Sequence, residues 1–145
     1  MTPVEIAALI AEPFEGFKSY PYLCPAGIPT IGIGTTRYPN DKRVTLKDSP
    51  VTYSQAKEFM YYELEQCQKG VLRCCPMLSG NTLGAIIDFT YNLGVGRLQA
   101  STLKRRLNEQ DIESAKQELL KWVWAGGRKL NGLVARRKIE SIYLT

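Results

Sequence analysis

The sequence predicts an α+β fold: one N-terminal helix, a small antiparallel β-sheet, and then a mostly helical C-terminal lobe. Two observations predict it. Apolar residues recur at three- and four-residue spacings along most of the chain, and they alternate in β-fashion only between residues 20 and 39. Nothing repeats as a longer unit, and no long linker divides the 145 residues, so a single domain is expected over 1–145. Within it, a small β-containing lobe would occupy about 17–50, with a helical lobe over about 52–145 joined by the N-terminal helix. A cleft between sheet and helices is the natural place for a substrate.

The opening run TPVEIAALIAEPFEG reads as a helix. Thr2 and Glu5 have capping-box spacing, Pro3 suits the first helical position, and Ile6, Leu9, Ile10 and Phe14 fall on one face. It should end near Gly16, and Pro13 should kink or shorten its last turn. The next stretch, YPYLCPAGIPTIGIGTTRYP, carries the prolines, glycines and alternation of short strands joined by tight turns, and is the one β-like segment. Thr52 and Gln55 then cap a long helix through AKEFMYYELEQCQKGVL. Further helices are expected over about 81–93, 101–107, 111–124 and 130–143, separated by GVGR, NEQD and AGGRKLNG.

The hydrophobic share of 44% and charged share of 23% are those of a globular chain, which excludes disordered and collagen-like classes. A formal net charge of +5 favours polyanions: nucleic acid, anionic lipid or the bacterial wall. The late basic clusters, KRR at 104–106 and RRK at 136–138, are interrupted by apolar residues at helical spacing and read as solvated helix faces. They carry no nucleic-acid motif and no interleaved aromatics, so a nucleic-acid-binding protein is the weaker alternative. No apolar run approaches the roughly 18–20 residues of a membrane span, and the N-terminus lacks a secretory pattern. The chain is therefore expected in the cytoplasm as made, with no membrane anchor and as a monomer. Cys24, Cys67, Cys74 and Cys75 are too few and too irregular for a disulfide framework. Their spacing and the lack of histidine also argue against zinc.

The segment EGFKSYPYLCPAGIPTIGIG carries the functional signal. A glutamate, Glu15, is followed after eight residues by Cys24 and after five more by Thr30, which enters a glycine-punctuated strand. This segment resembles the catalytic signature of the phage-type lysozymes, glycoside hydrolase family 24, in its Glu-Cys-Thr variant. YNLGVGRLQASTLKRRLN, KWVWAGGRKLNGLVARRKIE and the order of helices resemble the endolysin branch, so the likeness spans nearly the whole chain.

The resemblance implies a lysozyme-like fold and an endolysin muramidase. Its substrate would be peptidoglycan glycan strands, cut at the β-1,4 bond between N-acetylmuramic acid and N-acetylglucosamine, with no metal or organic cofactor. Such an enzyme would accumulate in the host cytoplasm and act on the periplasmic wall after a separate membrane-permeabilising protein breaches the inner membrane. Glu15 becomes the general acid: partial desolvation disfavours its charged form and keeps a proton available for the leaving oxygen. Cys24 and Thr30 would handle the water, the sulfur as thiolate and the hydroxyl as donor and acceptor. Asn92 and Thr102 are taken as substrate-binding. Arg136 or Arg137 would be the last-helix arginine that the family pairs with its catalytic glutamate. Trp122 is expected in the core.

Two departures from the family pattern stand out. Cys24 replaces the carboxylate common among relatives, and Thr35 and Thr36 stand where a histidine usually follows GIG. They make a catalytically weak peptidoglycan-binding module the main alternative.

Overall fold

A computed structural model describes residues 1–145 and contains seven helices and two small antiparallel sheets. The helices are α1 (Pro3–Glu15), α2 (Tyr53–Cys74), α3 (Gly80–Leu93), α4 (Val95–Gln99), α5 (Thr102–Asn108), α6 (Ile112–Leu119) and α7 (Asn131–Ile142). Strands β1 (Lys18–Leu23) and β2 (Pro29–Gly32) form one sheet, and β3 (Trp124–Ala125) and β4 (Arg128–Lys129) the other. The architecture is the expected α+β class. The chain forms two compact units, Ala11–Glu63 and Met1–Ile10 with Leu64–Thr145.

Both long helices start where their capping boxes predict. Thr2 Oγ1 accepts from the Glu5 N–H at 3.1 Å. At α2, the Thr52 hydroxyl accepts from Gln55 N at 3.1 Å and the Gln55 side chain accepts from Thr52 N at 2.9 Å, the reciprocal pair that satisfies two otherwise orphaned donors. Pro13 does not cut α1 short: the helix continues through it to Glu15.

In the 11–63 unit, β1 and β2 pair with Tyr22 opposite Thr30 and Leu23 opposite Pro29, after an irregularity between Lys18 and Tyr22. Ala11, Ile31, Ile33, Val44, Ala56 and Met60 are its buried apolar residues. Tyr38 packs edge-on to Phe59 and donates to Asp48 at 2.6 Å, which closes the loop before α2.

In the other unit, every residue of α3 from Thr82 to Thr90 is buried, so this helix is wrapped on all sides. Gly84 permits the approach of the α1 start: a Cβ there would lie 2.6 Å from Ile6 Cγ2. The caps of α5 and α6 also follow from sequence: Ser101 accepts from Lys104 N at 3.0 Å, and Asp111 from Ser114 N at 3.1 Å.

Three expectations need correction. GVGR is not a plain separator, because Val95–Gln99 forms the short helix α4. The helix expected over 111–124 ends at Leu119, and the glycines after it fold a second β-hairpin, so residues 20–39 are not the sole β segment. Its two-residue turn, Gly126 and Gly127, has φ of 58° and 76°, a conformation glycine adopts without penalty. Finally, Arg136 and Arg137 do not lie on a solvated face; they are 3% and 0% exposed.

Candidate active site

Glu15 is the last residue of α1 and is partly buried. Gly16 follows in the left-handed region at φ 68°, and its N–H closes on the Glu12 carbonyl at 2.8 Å. A Cβ would penalise that conformation, so the glycine lets the chain turn directly from helix into β1. The same carboxyl is met by the turn after β2. Ile31 and Thr35 exchange both backbone hydrogen bonds, at 2.8 and 3.0 Å, which leaves Gly32, Ile33 and Gly34 as the turn tip. Ile33 buries its side chain, while the glycines on either side allow two close approaches. A Cβ on Gly32 would lie 2.9 Å from Ala56 Cβ on α2, and one on Gly34 would lie 2.8 Å from Glu15 Oε2. Gly34 of the GIG run is thus the point at which the turn meets the carboxyl of Glu15.

Cys24 opens the turn between β1 and β2. Its N–H donates to the Ile28 carbonyl at 3.0 Å and its carbonyl accepts from Gly27 N at 2.8 Å. The thiol is held below its ordinary range, first by the backbone N–H of Ile28; burial opposes this, and the N–H of Ala26, the Thr30 hydroxyl and the N–H of Gly27 add to it. A thiol lowered in this way is biased toward thiolate. Thr30 is 3% exposed and donates to the Ile28 carbonyl at 2.8 Å. Its single proton cannot serve that carbonyl and a thiolate together. Ionisation of Cys24 therefore competes with the Thr30–Ile28 bond.

Two groups that the sequence did not single out feel the charge of Glu15. Tyr22, paired with Thr30 across the sheet, is pushed above the ordinary phenol range by burial first, and then by the negative charges of Glu15 and Cys24. It remains a neutral phenol that feels both candidate catalytic groups. Glu63, on α2, is pushed up to about 7, first by burial and then by the charge of Glu15. Its Oε2 is shielded from solvent and has no hydrogen-bond partner; Thr35 Oγ1, at the position where the family histidine was expected, is likewise buried and unpartnered. A signal for Glu63 existed: Ala56, Met60, Leu64 and Val71 are all buried, and position 63 follows Met60 by three residues on that stripe.

Glu15, Cys24 and Thr30 all belong to the 11–63 unit, whereas Asn92 and Thr102 belong to the other. Asn92 is partly buried, and its Oδ1 accepts from Arg137 Nη2 at 2.9 Å. Its amide oxygen is thereby committed to the last helix. Thr102 is exposed at the start of α5, directly after the Ser101 cap. Arg136 binds Asp88 through two hydrogen bonds, Nε to Oδ2 at 2.9 Å and Nη2 to Oδ1 at 2.7 Å. Arg137 donates to Glu140 Oε2 at 2.9 Å, and its Nε approaches Oε1 at 2.7 Å without hydrogen-bond alignment. Burial and the neighbouring Asp88 push Glu140 well above the ordinary carboxylate range, with Arg137 opposing. These side chains fasten α7 to α3. Trp122 packs edge-on against Phe89 at 5.6 Å but is only half-buried, so it borders the core expected for it, while Trp124 is 59% exposed.

The phage lysozyme family profile matches residues 12–140. A SAR-endolysin of Bacteriophage PS34 is 30% identical over 127 residues, which span 87% of this chain and 73% of that protein. An endolysin of Acyrthosiphon pisum secondary endosymbiont phage 1 is 30% identical over 141 residues, spanning 94% and 92%. Among solved structures, the endolysin from Escherichia coli O157:H7 phage FAHEc1 superposes with a TM-score of 0.82 at 28% identity, over 98% of this chain and 89% of that one.

Proposed function

We propose a function for this chain from one premise: it belongs to the phage lysozyme family. In that family we read it as a peptidoglycan-hydrolysing endolysin, and more narrowly as a muramidase that cuts the β-1,4 bond after N-acetylmuramic acid. Glu15 gives its proton to the glycosidic oxygen, so that the leaving sugar departs as a neutral alcohol. Water adds to the anomeric carbon as positive charge develops there; Thr30 orients it, and Cys24, as thiolate, takes its proton. Solvent then returns a proton to Glu15 and removes one from Cys24, which restores both groups.

The observation that carries this reading is that one compact unit holds Glu15 against Gly34 and places Cys24 in the turn that leads to Thr30. The turn's backbone and the Thr30 hydroxyl hold the Cys24 thiol below its ordinary range, which suits a sulfur that must carry negative charge better than an inert apolar filler. Asn92 and Thr102 remain candidates for contact with the sugar chain. With Asn92 Oδ1 held by Arg137, the amide NH2 is the group it can offer. The net charge of +5 adds a salt-sensitive attraction to the anionic wall. No helix is long and apolar enough to cross a membrane. In this reading the enzyme reaches the wall from the host cytoplasm once a separate protein has opened the inner membrane.

Dye release from purified walls by Cys24→Ser and Cys24→Asp tests the assignment. The serine variant, which cannot ionise near neutral pH, should lose most activity, and the aspartate variant should keep much of it. Near-wild-type activity in both would remove Cys24 from the mechanism. Wall binding without turnover by the unmodified protein would favour the binding-module alternative.

A further inference from the structure

The loop between β2 and α2 shapes a cavity of about 660 Å³ that the mechanism above does not use, and every residue lining it falls between Tyr38 and Gln55, within the 11–63 unit. Backbone hydrogen bonds fix its walls. Val44 N–H donates to the Thr36 carbonyl at 3.0 Å and Tyr38 N–H to the Lys42 carbonyl at 2.9 Å, which folds residues 36–44 into a narrow hairpin. On the side of Pro50 and Val51, the Val51 N–H donates to the Ser19 carbonyl at 2.9 Å and ties the loop to β1. Lys42, Arg43 and Lys47 line the cavity, all three exposed, and Asp48 is its one acid. That carboxylate is already satisfied: it accepts from the Tyr38 and Thr45 hydroxyls, each at 2.6 Å, and from the Thr45 N–H at 3.0 Å. The loop's other acid, Asp41, pairs with Arg37 at 3.1 Å. The three lining cations take part in no ion pair, and the lining carries a surplus of two positive charges.

We propose that this cavity is an anion site for the carboxylates of the wall peptides, through which the chain grips peptidoglycan at a second point besides the glycan. The inference rests on the reading of peptidoglycan as the substrate. Like charges gathered on one concave wall repel one another, so a ligand that brings negative charge relieves that repulsion as well as gaining attraction. The planar guanidinium of Arg43 can take a carboxylate through two parallel N–H donors, and the two lysines add compact positive charge. Gln55 accepts from Thr52 N through its Oε1, so its amide NH2 is the group it can offer an anion. The volume lies within the range of sites that hold small organic ligands, and Pro50 and Val51 add apolar surface, which suits a peptide better than a bare ion. A merely solvated basic surface would behave differently: its cations would be interchangeable with the same number of cations elsewhere on the chain.

The test is cosedimentation, in the cold, with purified sacculi freed of lipid and of phosphate polymers. One variant combines Lys42→Gln, Arg43→Gln and Lys47→Gln. A control variant combines Lys69→Gln, Arg97→Gln and Lys138→Gln, which removes the same charge from exposed positions of the other unit. The cavity variant should bind about tenfold more weakly than wild type, as three exposed ion pairs of ordinary strength would give, and the control should stay within about twofold. On sacculi whose carboxyls have been converted to amides, the two variants should bind alike. Equal weakening of both variants on untreated sacculi, a deficit of the cavity variant that persists on amidated sacculi, or no binding by wild type overturns the proposal. So does a deficit that appears only on sacculi retaining their phosphate polymers. If the triple variant does not fold, Lys42→Gln with Lys47→Gln replaces it; about fivefold weakening is then expected, with the same results overturning the proposal. Failure of the underlying reading looks different: wild type would release no dye from walls, while sedimentation would still decide whether the cavity holds their carboxylates.

Discussion

Replacing Glu63 with leucine should make the protein more stable at pH 8 and nearly neutral in effect at pH 4. The carboxyl is pushed from its ordinary 4.5 up to about 7 in the folded chain. For a group whose folded pKa is raised, the fold is favoured at low pH, where both states are protonated. That favour is lost between about pH 4.5 and about pH 7, as the unfolded chain releases the proton and the folded chain is made to hold it. The shift corresponds to about 3 kcal/mol at pH 8. Leucine continues the Met60 and Leu64 stripe and gives up no hydrogen bond at the unpartnered Oε2. Urea unfolding of both proteins from pH 4 to pH 8 measures the difference curve, in which the other titrating groups, Glu140 among them, cancel. The gap should open above pH 4.5 and level off above pH 7, equivalent to ~6–12 °C in melting temperature for a chain of this size. A gap of constant size across that range, or a variant less stable than wild type at pH 8, would refute the reasoning.

Three further outcomes follow from particular contacts. Thr30→Val keeps the β-branched shape and removes the hydroxyl that favours the Cys24 thiolate, so the pH midpoint for alkylation of Cys24, followed by peptide mapping, should rise and turnover should fall. An unchanged midpoint would remove Thr30 from the sulfur's environment. Gly34→Ala puts a Cβ 2.8 Å from Glu15 Oε2 at a backbone φ of 75°, and wall lysis should drop by about tenfold or more through displacement of the acid. Normal lysis would show that the carboxyl is free to move. Asp88→Ala removes both hydrogen bonds that this carboxylate accepts from the buried Arg136 guanidinium and should cost about 3–5 kcal/mol in denaturant unfolding. A loss below about 1 kcal/mol would mean that the ion pair with Asp88 adds little to the stability of the fold.

What the sequence disclosed depended on the range over which each signal acts. The capping boxes at Thr2–Glu5 and Thr52–Gln55 are local and chemically specific, and both helices begin there. The hairpin at 124–129 escaped notice because strands of two residues carry no alternation to detect; its Gly126–Gly127 pair was legible as a turn but not as that turn. Val95–Gln99 is too short to present a helical period. Arg136 and Arg137 looked solvated because their burial is set by Asp88, 48 residues earlier, by Asn92, and by Glu140 one turn on, and only tertiary structure brings such partners together. Glu63 was hidden in a run of charged and tyrosyl residues. Its position three residues beyond Met60 marks the buried face, but a lone carboxyl there becomes informative only once the charge of Glu15 is seen to act on it. In the 11–63 unit the Glu, Cys and Thr were singled out through the family resemblance of their segment, whereas Tyr22 and the close approach of Gly34 to Glu15 were not legible.

The most direct test is fragment analysis of digested peptidoglycan. Mass spectrometry of the products should show wild-type fragments ending in reducing N-acetylmuramic acid and none from Glu15→Gln, with the variant still folded and still binding walls. Muramic-acid ends released at a normal rate by the amide variant, or wild-type fragments ending in N-acetylglucosamine, would contradict the assignment of acid or of bond.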